Sequence, residues 1–458
     1  MTTAVHSTAI DGLLVVDLTV HGDARGWFKE NWNRDAMPGI PDFGPVQNNM
    51  SYNAHKGVTR GLHAEPWDKL VSVAHGAVMG GWCDLREDSP TFGATYTHRI
   101  DPHTAVFVPR GVANGFQALE DDTVYSYLVN DHWRPDAQYY FVNLDIIDWP
   151  LEPTEISDKD RQHPPLANAT PVPPRTTLVF GAGGQLGTAL RGELAGRKQV
   201  EFLDREDIDL AAVAAMDYEE LRALRPWRSI GTIINAAAYT QVDAAEGEGR
   251  ADAWAINAAA VGKLARLCTE FHIRLVHYSS EYVFDGTVQP HREDEPLSPL
   301  GVYGQTKAAG DIAALTAPGA LVLRTTWVVG QGKNFVRTMY DLARRGVEPK
   351  VVDDQIGRIT FATELARATA HLVDSDVTGV VNVTCGGEPA SWADVADIVF
   401  AHLGKPPVGR IPTSEYPAPA PRPLGSVMDL SRLESTGFVP ADWRDGLAAY
   451  LHTLDKES

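Results

Sequence analysis

The stretch GVYGQTK, residues 301–307, places a tyrosine and a lysine four residues apart. Residues with this spacing lie side by side on a helix, so the ammonium of Lys307 can lie near the hydroxyl of Tyr303. A neighbouring positive charge favours the phenolate and lowers a phenol pKa that is ordinarily about 10. The pair therefore predicts a tyrosine that donates a proton near neutral pH. The alternative reading of the same spacing is a surface tyrosine beside a solvated lysine.

A glycine-rich turn further upstream predicts a dinucleotide site. The stretch TTLVFGAGGQLGTAL puts Gly181, Gly184 and Gly187 between a predicted strand and a predicted helix. The spacing is GxxGxxG and not GxGxxG, but a pyrophosphate still requires a tight turn and a nearby helix N-terminus. Asp204 ends the next predicted strand, where a carboxylate can accept a hydrogen bond from a ribose hydroxyl. Arg205 follows and could instead contact a 2′-phosphate, so the choice between NAD and NADP stays open.

The first part of the chain holds residues suited to acid–base chemistry. Two arginines and a lysine could bind a diphosphate inside an acidic protein. A histidine held by a carboxylate is a plausible general base, and a tyrosine on another strand a plausible acid, although a single histidine is more often structural. The residues of this group are Arg25, Glu30, Gln47, Asn49, Arg60, His63, Lys69, Tyr127 and Asp160.

Length and charge limit the class of protein. A chain of 458 residues predicts two or three domains. The net charge of −20 argues against nucleic acid or an anionic membrane as a partner. The first residues, MTTAVHSTAI, lack the pattern of a signal peptide, and no apolar run is long enough to span a membrane. The three cysteines are scattered without a CxxC, which predicts buried thiols in a reducing cytoplasm, and no His/Cys cluster predicts a metal.

Two folding patterns meet at a proline-rich stretch. HPPLANATPVPPRTT, residues 163–177, has no amphipathic period and predicts an extended linker. Before it, short alternating stretches such as TVYSYLV predict antiparallel strands of a barrel or jelly roll. After it, apolar strands alternate with Ala-rich helices, which predicts a doubly wound parallel sheet. The predicted domains are residues 1–162 and 176–458, joined by a linker at 163–175.

The second half resembles a known family through a series of motifs. GAGGQLG, LDREDIDL, INAAAYTQVDAAE, YSSEYVFDG, YGQTKAAGD, LRTTWVVG and VVDDQIGRIT occur in this order between residues 181 and 360. Together they resemble the dTDP-4-dehydrorhamnose reductases, which are extended short-chain dehydrogenases, over residues 175–455. The resemblance implies a Rossmann domain that uses NADPH or NADH, with a smaller C-terminal substrate-binding region. Some reductases of this family also use Mg²⁺ at a dimer contact.

The reductase resemblance implies a role for individual residues. Tyr303 would protonate the alkoxide oxygen, and Lys307 would lower its pKa and hold the nicotinamide ribose. Ser280 would hydrogen-bond the substrate carbonyl, and Trp327 would be a substrate-side aromatic. Glu281 stands in the substrate site where the family usually has Asp. The positions that match cofactor contacts are Gly184, Gln185, Leu186, Asp204, Asp209, Leu210, Ala236, Ala237, Ala238 and Tyr278.

The first half resembles a different family. DARGWFKE, RGLH, DLREDSPTFG, VPRGVANGF and ISDKD resemble the dTDP-4-dehydrorhamnose 3,5-epimerases, which are cupin-like jelly rolls, over residues 8–165. The resemblance implies that His63 is the base, Asp160 its orienting partner and Tyr127 the acid on the opposite face of the sugar. The residues that match nucleotide-sugar contacts are Arg25, Glu30, Gln47, Asn49, Arg60 and Lys69.

The epimerase half departs from its family at four places. Asn114, in the substrate site, stands where the family usually has His. Gln138 replaces a Glu, and Trp133 replaces a second Tyr. The stretch HAEPWDK is shorter than the family's loop between the base and Lys69. The base and the acid are present, but the contacts around them are altered.

Together the two resemblances imply a cytoplasmic bifunctional enzyme that acts on a dTDP-sugar. It would epimerise dTDP-4-dehydro-6-deoxy-D-glucose at carbons 3 and 5 and then reduce the 4-keto group with NADPH or NADH. One alternative is epimerisation at a single carbon, or reduction to the opposite alcohol, giving another dTDP-6-deoxyhexose. Another is a non-catalytic nucleotide-binding regulatory protein. Such epimerases usually dimerise through exchanged strands, so a homodimer is expected by analogy.

Overall fold

The structure, a computed structural model, describes residues 3–37, 39–40 and 43–457. The chain divides into two compact units, Met1–Pro174 and Arg175–Ser458. The proline-rich segment predicted as a linker therefore lies mostly within the first unit. Its Val172 is buried, and the Val172 N–H donates to the carbonyl of Leu85 at 2.7 Å. No helix within the described ranges combines the length and the apolar character needed to cross a bilayer.

The first unit consists of two antiparallel sheets. The larger sheet has six strands in the spatial order Val5–Ser7, Leu14–Asp17, Thr104–Val108, Lys69–His75, Thr123–Val129 and Gln47–Asn53. The other has five, in the order Tyr140–Phe141, Thr59–Ala64, Val112–Ala118, Val78–Asp84 and Thr95–Ile100. A separate hairpin is formed by Val20–Asp23 and Gly26–Lys29. The short helical segments are Leu144–Ile146, Asp158–Arg161 and Leu166–Asn168.

The core of the first unit lies between its two sheets. Val71 and Tyr125 come from the six-stranded sheet, Trp82 and Phe116 from the five-stranded one, and all four are buried in one cluster. The Phe116 and Tyr125 rings stack with centroids 4.1 Å apart. Alternate residues of a strand face the same side of a sheet, so the inner face of each strand supplies both core and site residues. The prediction of an all-β, cupin-like jelly roll is confirmed.

The second unit is built on a six-stranded parallel sheet. Its strands lie in the order Val200–Leu203, Thr176–Phe180, Ile230–Asn235, Arg274–Ser280, Leu321–Thr325 and Gly379–Asn382. Separate apolar clusters pack on the sheet, one with the helix Ala260–Phe271 and one with the helices Gln185–Glu193 and Ala362–Val373. The strand order reverses next to Thr176–Phe180, which is where doubly wound folds bind their ligands. The predicted Rossmann fold is confirmed.

A third apolar cluster gives the second unit its smaller C-terminal region. It contains Trp443, which is fully buried, and residues of the helices Phe335–Arg344, Trp392–His402 and Trp443–Glu457. The short strands around this region are Val328–Val329, Lys350–Val352, Ile356–Gly357, Thr360–Phe361, Ala390–Ser391 and Gly409–Ile411. The remaining helical segments of the unit are Leu210–Ala215, Tyr218–Ala223, Trp227–Ser229, Val242–Ala245, Glu281–Val283, Val302–Ala314, Thr413–Glu415 and Ser431–Ser435.

The long helix predicted over residues 251–272 contains one irregular turn. Arg250–Trp254 and Ala260–Phe271 are α-helical, and Ala255–Ala259 between them is a π-helix. Within this turn the Asn257 side chain binds the backbone of Tyr239 at 2.9 and 3.0 Å and the hydroxyl of Thr306 at 3.1 Å. Such turns often occur at functional sites. This one joins a loop to the helix that carries Tyr303.

Candidate active sites

The second unit brings Ser280, Tyr303 and Lys307 together at one end of the parallel sheet. Ser280 ends the strand Arg274–Ser280, and the other two lie on the helix Val302–Ala314. The Ser280 side chain hydrogen-bonds Tyr303 and donates to Glu281 Oε2 at 2.7 Å. Lys307 Nζ donates to the backbone carbonyl of Tyr278 at 2.6 Å. The three predicted residues therefore lie together, with Ser280, Lys307 and the neighbouring Glu281 buried and Tyr303 half-buried.

The ionisation of this group differs from the sequence-based expectation. Burial raises the pKa of Tyr303, with the charge of Glu281 adding to the effect, and the hydrogen bond with Ser280 opposes it only in part. Burial also lowers the pKa of Lys307 to about 8 and raises that of Glu281 to about 7. The expected lowering of the Tyr303 pKa by Lys307 is not found, because desolvation dominates and the ammonium binds the carbonyl of Tyr278.

The pKa of Lys307 predicts how reduction depends on pH. In its ammonium form Lys307 binds the Tyr278 carbonyl and brings positive charge to the cavity that Tyr303 also lines, and that form is lost as pH rises through about 8. We therefore expect kcat for ketone reduction to fall on the alkaline side with an apparent pKa near that value. The measurement is a kcat profile at saturating cofactor and sugar. A profile that stays flat from neutral pH to well above 8 would show that the charge of Lys307 is not required.

A large cavity of about 770 Å³ opens beside Tyr303 and Lys307. Every residue predicted to contact the cofactor lines it. These residues are Gly181, Gly184, Gln185, Leu186, Asp204, Arg205, Asp209, Leu210, Ala236, Ala237, Ala238, Tyr278, Tyr303 and Lys307. Tyr239, Thr240 and Gln241 also line it and were not singled out, although they lie within the motif INAAAYTQVDAAE.

The glycine-rich turn fits a pyrophosphate. Gly181 has a φ of +76°, a conformation that side chains other than glycine rarely adopt. Gly184 is the N-cap residue of the helix Gln185–Glu193 and has no side chain to cap it. The first N–H groups of this helix therefore point toward the cavity end of the sheet without a side-chain acceptor. A Cβ on Gly187 would lie 2.2 Å from the carbonyl oxygen of Gly181. Asp204 and Arg205 are both exposed at the cavity, so the residues suit either nicotinamide dinucleotide.

The close approach at Gly187 gives a matched pair of substitutions. Gly187→Ala forces the helix away from the turn, because the new methyl overlaps backbone that cannot move aside. We expect cofactor affinity to fall at least about tenfold, since overpacking of this kind costs about 1–3 kcal/mol. Gly192→Ala on the same helix is the control, because a Cβ there meets nothing within 4 Å and Gly192 does not line the cavity. Titration of nicotinamide fluorescence measures both. Equal affinities for the two variants would contradict the role of the turn.

Trp327 does not line the cofactor cavity. Its ring stacks on Trp392 with centroids 3.8 Å apart, and its backbone has a φ of +40°. It packs against the apolar cluster of the C-terminal region, together with Phe335. Its predicted place on the substrate side stays a prediction.

The first unit contains a His–Asp pair. His63 lies on the strand Thr59–Ala64, and its Nε2 is 2.9 Å from Asp160 Oδ1. Burial alone would raise the pKa of Asp160, but hydrogen bonds from His63 and from the Gly61 N–H outweigh it, so the net shift is downward. An ionised carboxylate only accepts hydrogen bonds, so we assign the proton to Nε2 of His63. The Nδ1 lone pair of His63 is then free to act as a base.

A smaller cavity of about 200 Å³ lies beside this pair. His63, Arg60, Lys69, Asn114 and Tyr127 line it, all of them predicted site residues. Burial raises the pKa of Tyr127. The charge of Glu65 adds to this rise in pKa, and the charge of Arg60 opposes it. A half-buried acid held neutral in this way can return a proton to a carbanion.

Glu65 is a residue of this cavity that the sequence did not reveal. Its Oε1 lies 2.7 Å from Lys69 Nζ, and both side chains are largely buried. Lys69 Nζ in turn lies 5.6 Å from the centre of the Tyr127 ring. The only signal in the sequence is an acid four residues before Lys69 in the stretch HAEPWDK. The pair places a compensated lysine beside the predicted acid.

Four predicted substrate residues do not line this cavity. Gln47 and Asn49 lie close to it, since they share a strand face with Ser51, which does line it, and Asn49 pairs with Tyr127. Arg25 and Glu30 lie in or beside the separate hairpin, where the Arg25 side chain is 90% exposed and bound to Asp23. The other three predicted substrate residues of this unit, Arg60, Lys69 and Asn114, line the cavity together with the predicted base His63.

The departures from the epimerase pattern have different surroundings. Asn114 accepts a hydrogen bond from the buried hydroxyl of Tyr125 at 3.3 Å, so it holds a second tyrosine in the wall of the cavity. Trp133 and Gln138 are exposed, and the Trp133 N–H donates to Gln47 Oε1 at 2.9 Å. The change at Asn114 is therefore the one that alters the lining of the cavity directly.

The first unit is a jelly roll with a His–Asp pair and a tyrosine at one cavity, which defines an acid–base isomerase domain. The second unit is a Rossmann domain that carries Ser, Tyr and Lys, which defines a short-chain dehydrogenase domain. The chain is a fusion of the two. Residues 7–168 match the family described as dTDP-4-dehydrorhamnose 3,5-epimerase, and residues 175–456 match the family described as RmlD substrate binding domain. The chain belongs to both families, one in each half.

Individual proteins show the same division. A dTDP-4-dehydrorhamnose reductase of Burkholderia thailandensis is 40% identical over 289 residues, which is 58% of this chain and 95% of that protein. A protein RmlC homolog of Streptococcus pyogenes serotype M6 is 48% identical over 180 residues, 36% of this chain and 90% of that protein. The crystal structure of a Bacillus anthracis dTDP-4-dehydrorhamnose reductase in complex with NADP is 30% identical, with a TM-score of 0.56, and covers 61% of this chain and 99% of that one.

Proposed function

We propose that this chain is a bifunctional enzyme of dTDP-L-rhamnose synthesis. Its first unit epimerises dTDP-4-dehydro-6-deoxy-D-glucose at carbons 3 and 5, and its second unit reduces the 4-keto group of the product. The observation that carries the proposal is the presence, in one chain, of a His–Asp base beside a half-buried tyrosine and of a Ser–Tyr–Lys group beside a dinucleotide-sized cavity. One ketone serves both reactions, since it acidifies the neighbouring hydrogens and is itself reducible.

In the epimerase unit His63 removes a proton from the carbon next to the ketone. Its free Nδ1 accepts the proton, and Asp160 stabilises the imidazolium that forms, because Nε2 already donates to that carboxylate. Arg60 places positive charge at the cavity, where it offsets the charge of the enolate and the diphosphate, whereas the charge of Lys69 is compensated by Glu65. Tyr127 then returns a proton from the opposite face, which inverts the carbon. The same cycle at the second carbon completes the product.

In the reductase unit the chain's own residues hold the ketone and manage the proton. The hydride is supplied by a nicotinamide bound in the large cavity. Ser280 and Tyr303 bind the carbonyl oxygen, and Tyr303 gives its proton to the alkoxide as charge develops. Lys307 is a cation in the same cavity at neutral pH, which its pKa of about 8 permits, and it binds the carbonyl of Tyr278. Glu281 lies next to Ser280 and would contact the sugar hydroxyls.

The finer assignments belong to this proposal. The reductase cofactor is NADPH or NADH, and the paired Asp204 and Arg205 leave the preference open. A role for Mg²⁺ at a dimer contact and a cytoplasmic location stay predictions, the latter from Cys83, Cys268 and Cys385, which are unpaired and buried. Nucleic acid and membrane are not expected partners of a chain with a net charge of −20.

A coupled assay tests the proposal. The purified chain, given the ketosugar and NADPH, is expected to oxidise the cofactor in proportion to the sugar. His63→Ala should block this oxidation, and a separate dTDP-4-dehydrorhamnose 3,5-epimerase added to that variant should restore it, because the second unit is intact. If neither NADPH nor NADH is oxidised by the wild-type chain, the proposed function is wrong.

We also propose that the chain forms a homodimer through its first unit. The strand Gln47–Asn53 is an edge strand of its sheet, and the outward Met50 and Tyr52 are 65% and 60% exposed. The hairpin carries Trp27 and Phe28, which are 45% and 65% exposed. An unpaired edge with apolar side chains can accept a strand from a second copy. The hairpin of one copy would then bring Arg25 and Glu30 to the cavity of the other.

Mixed dimers test this exchange. Arg25→Ala and His63→Ala are each expected to lose epimerisation when they are the sole chain. When the two variants are mixed and allowed to exchange subunits, activity should reappear, because a mixed dimer has one cavity with both intact residues. Solvent deuterium uptake by the sugar is the measurement, with His63→Ala mixed with Asp160→Asn as the control that cannot complement. If the Arg25 and His63 mixture also stays inactive, Arg25 does not act across subunits.

A further inference from the structure

A third ionisable side chain lies against the His63–Asp160 pair. His163 lies two residues after the helical segment Asp158–Arg161. Its Nε2 is 3.7 Å from Asp160 Oδ1, and its ring centre is 5.2 Å from that of His63. Its side chain is only 4% exposed. Neither of its two ring nitrogens makes a hydrogen bond of good geometry in the structure, although Asp160 and the Gly61 backbone lie near them. A buried imidazole without a well-formed hydrogen bond is costly, so a ligand at this position would stabilise it.

We propose that His63, Asp160 and His163 form a binding site for a divalent transition metal of the zinc class, and that the metal switches the epimerase base off. The existence of the metal site does not depend on the proposed function, but its effect on catalysis rests on that function. One potential ligand atom from each of the three residues lies within 4.8 Å of the others. Two imidazoles and one carboxylate, with a further position open, are a common ligand set for such metals.

The distances suit the metal after small side-chain movements. In a tetrahedral zinc site with bonds of about 2.0–2.1 Å, neighbouring ligand atoms lie about 3.3 Å apart. The His63–Asp160 distance of 2.9 Å and the His163–Asp160 distance of 3.7 Å lie on either side of this value.

A second cluster of the same composition provides a comparison. His402 Nε2 lies 2.9 Å from Asp455 Oδ2, and His452 Nδ1 lies 3.7 Å from the same oxygen. All three residues of this cluster are exposed, so water can satisfy their polar atoms. Similar distances at the surface therefore imply no ligand. The cluster around His163 is distinguished by a buried imidazole whose nitrogens make no hydrogen bond of good geometry.

The consequence for catalysis follows from the tautomer of His63. Without a metal, Nε2 carries the proton and donates to Asp160, and Nδ1 holds the lone pair that takes a proton from the sugar. A metal on Nε2 occupies that nitrogen's lone pair, so the ring proton must move to Nδ1. No proton is gained or lost by the neutral ring, but the nitrogen that faces the reaction becomes a donor. The base is then unable to accept a proton.

Cobalt binding tests the site without reference to activity. The full chain is stripped of metal with a chelator and titrated with Co²⁺, whose visible absorption intensifies when it leaves six-coordinate water for a site of fewer ligands. We expect one such Co²⁺ per chain. His163→Phe keeps a ring that can stack on Phe141, now at 4.7 Å, but removes the nitrogens. It should weaken binding by at least about 100-fold, because loss of even an outer-shell partner costs 10–100-fold.

The control is His452→Ala, which breaks the exposed cluster and should leave the absorption unchanged. His163→Gln is a second variant that keeps a polar side chain of similar length, in case the phenylalanine chain does not fold. The proposal is wrong if the wild-type chain gives no such absorption. It is also wrong if a folded His163 variant binds Co²⁺ as tightly as the wild type, or if His452→Ala abolishes the binding.

Zinc then tests the effect on the base. One equivalent of Zn²⁺ should lower solvent deuterium uptake by about 100-fold or more, the usual contribution of a general base, and EDTA should restore it. Each variant is compared with itself in EDTA, and His163→Phe should show little change on adding Zn²⁺. If the chain binds Co²⁺ but the sugar takes up no solvent deuterium in EDTA, the epimerase function is refuted and the metal site is still supported. Tight binding without inhibition would refute the switch.

Discussion

Tyr303→Phe is expected to lower kcat for ketone reduction by about 10²–10⁴-fold, the usual contribution of a positioned acid. The change removes one hydroxyl from a half-buried ring, so the packing is kept and no charge is left unpaired. Lys307 still binds the carbonyl of Tyr278, and the glycine-rich turn is untouched. Cofactor affinity should therefore stay close to that of the wild type. Single-turnover reduction and a separate cofactor titration measure the two quantities.

Tyr282 provides the matched control for this prediction. Its ring contacts that of Tyr303 edge to face, with centroids 5.4 Å apart, and it is also largely buried. Tyr282→Phe should change reduction only a few-fold, because its hydroxyl is not bound to Ser280. If the two phenylalanine variants lose reduction equally, the effect lies in packing and not in proton transfer. If Tyr303→Phe reduces at the wild-type rate, Tyr303 is not the acid.

Asp160→Asn is expected to lower solvent deuterium uptake by about 10²–10⁴-fold, as loss of the orienting carboxylate does in other His–Asp pairs. The carboxylate of Asp160 accepts from Nε2 of His63 and so keeps the lone pair on Nδ1. An amide can donate to Nε2 instead, which favours the tautomer with the proton on Nδ1. It also removes the charge that stabilises the imidazolium. Both effects disable the base while the hydrogen bond from Gly61 can persist through the amide oxygen.

The control for this variant is Asp158→Asn on the same short helix, where the side chain is exposed. It should take up deuterium like the wild type. Reduction of sugar epimerised beforehand should be unchanged in both variants, because the reductase unit does not contain these residues. Wild-type uptake by Asp160→Asn would mean that His63 either is not the base or needs no orienting partner.

Local pattern predicted much of the fold. TVYSYLV and RLVHYSS coincide with the strands Thr123–Val129 and Arg274–Ser280, since alternation and apolar runs are properties of adjacent residues. The four-residue spacing of Tyr303 and Lys307 likewise placed both on one helix. The cofactor residues that matched family motifs all line one cavity. These features depend on residues that are close in sequence or that occur in recognised motifs.

The features that were missed depend on contacts between distant residues. Burial, which sets the pKa of Tyr303, arises from the packing of whole elements and cannot be read from GVYGQTK. His163 was assigned to a linker because its neighbours are prolines, yet the chain folds back and packs it on His63, a hundred residues earlier. Glu65 belongs to no sequence pattern that would predict its place in the cavity. Arg25, which matched a family motif, lies in a separate exposed hairpin, and its contact with the sugar stays a prediction.

The most direct test of the central claim, that one ketone is used twice by this chain, is proton NMR of the final sugar nucleotide made in deuterated water with NADPH. The result we expect is dTDP-L-rhamnose with deuterium at both carbon 3 and carbon 5, because each proton is exchanged with solvent before hydride reaches carbon 4. A product of another configuration, or with deuterium at only one of these carbons, would contradict the account.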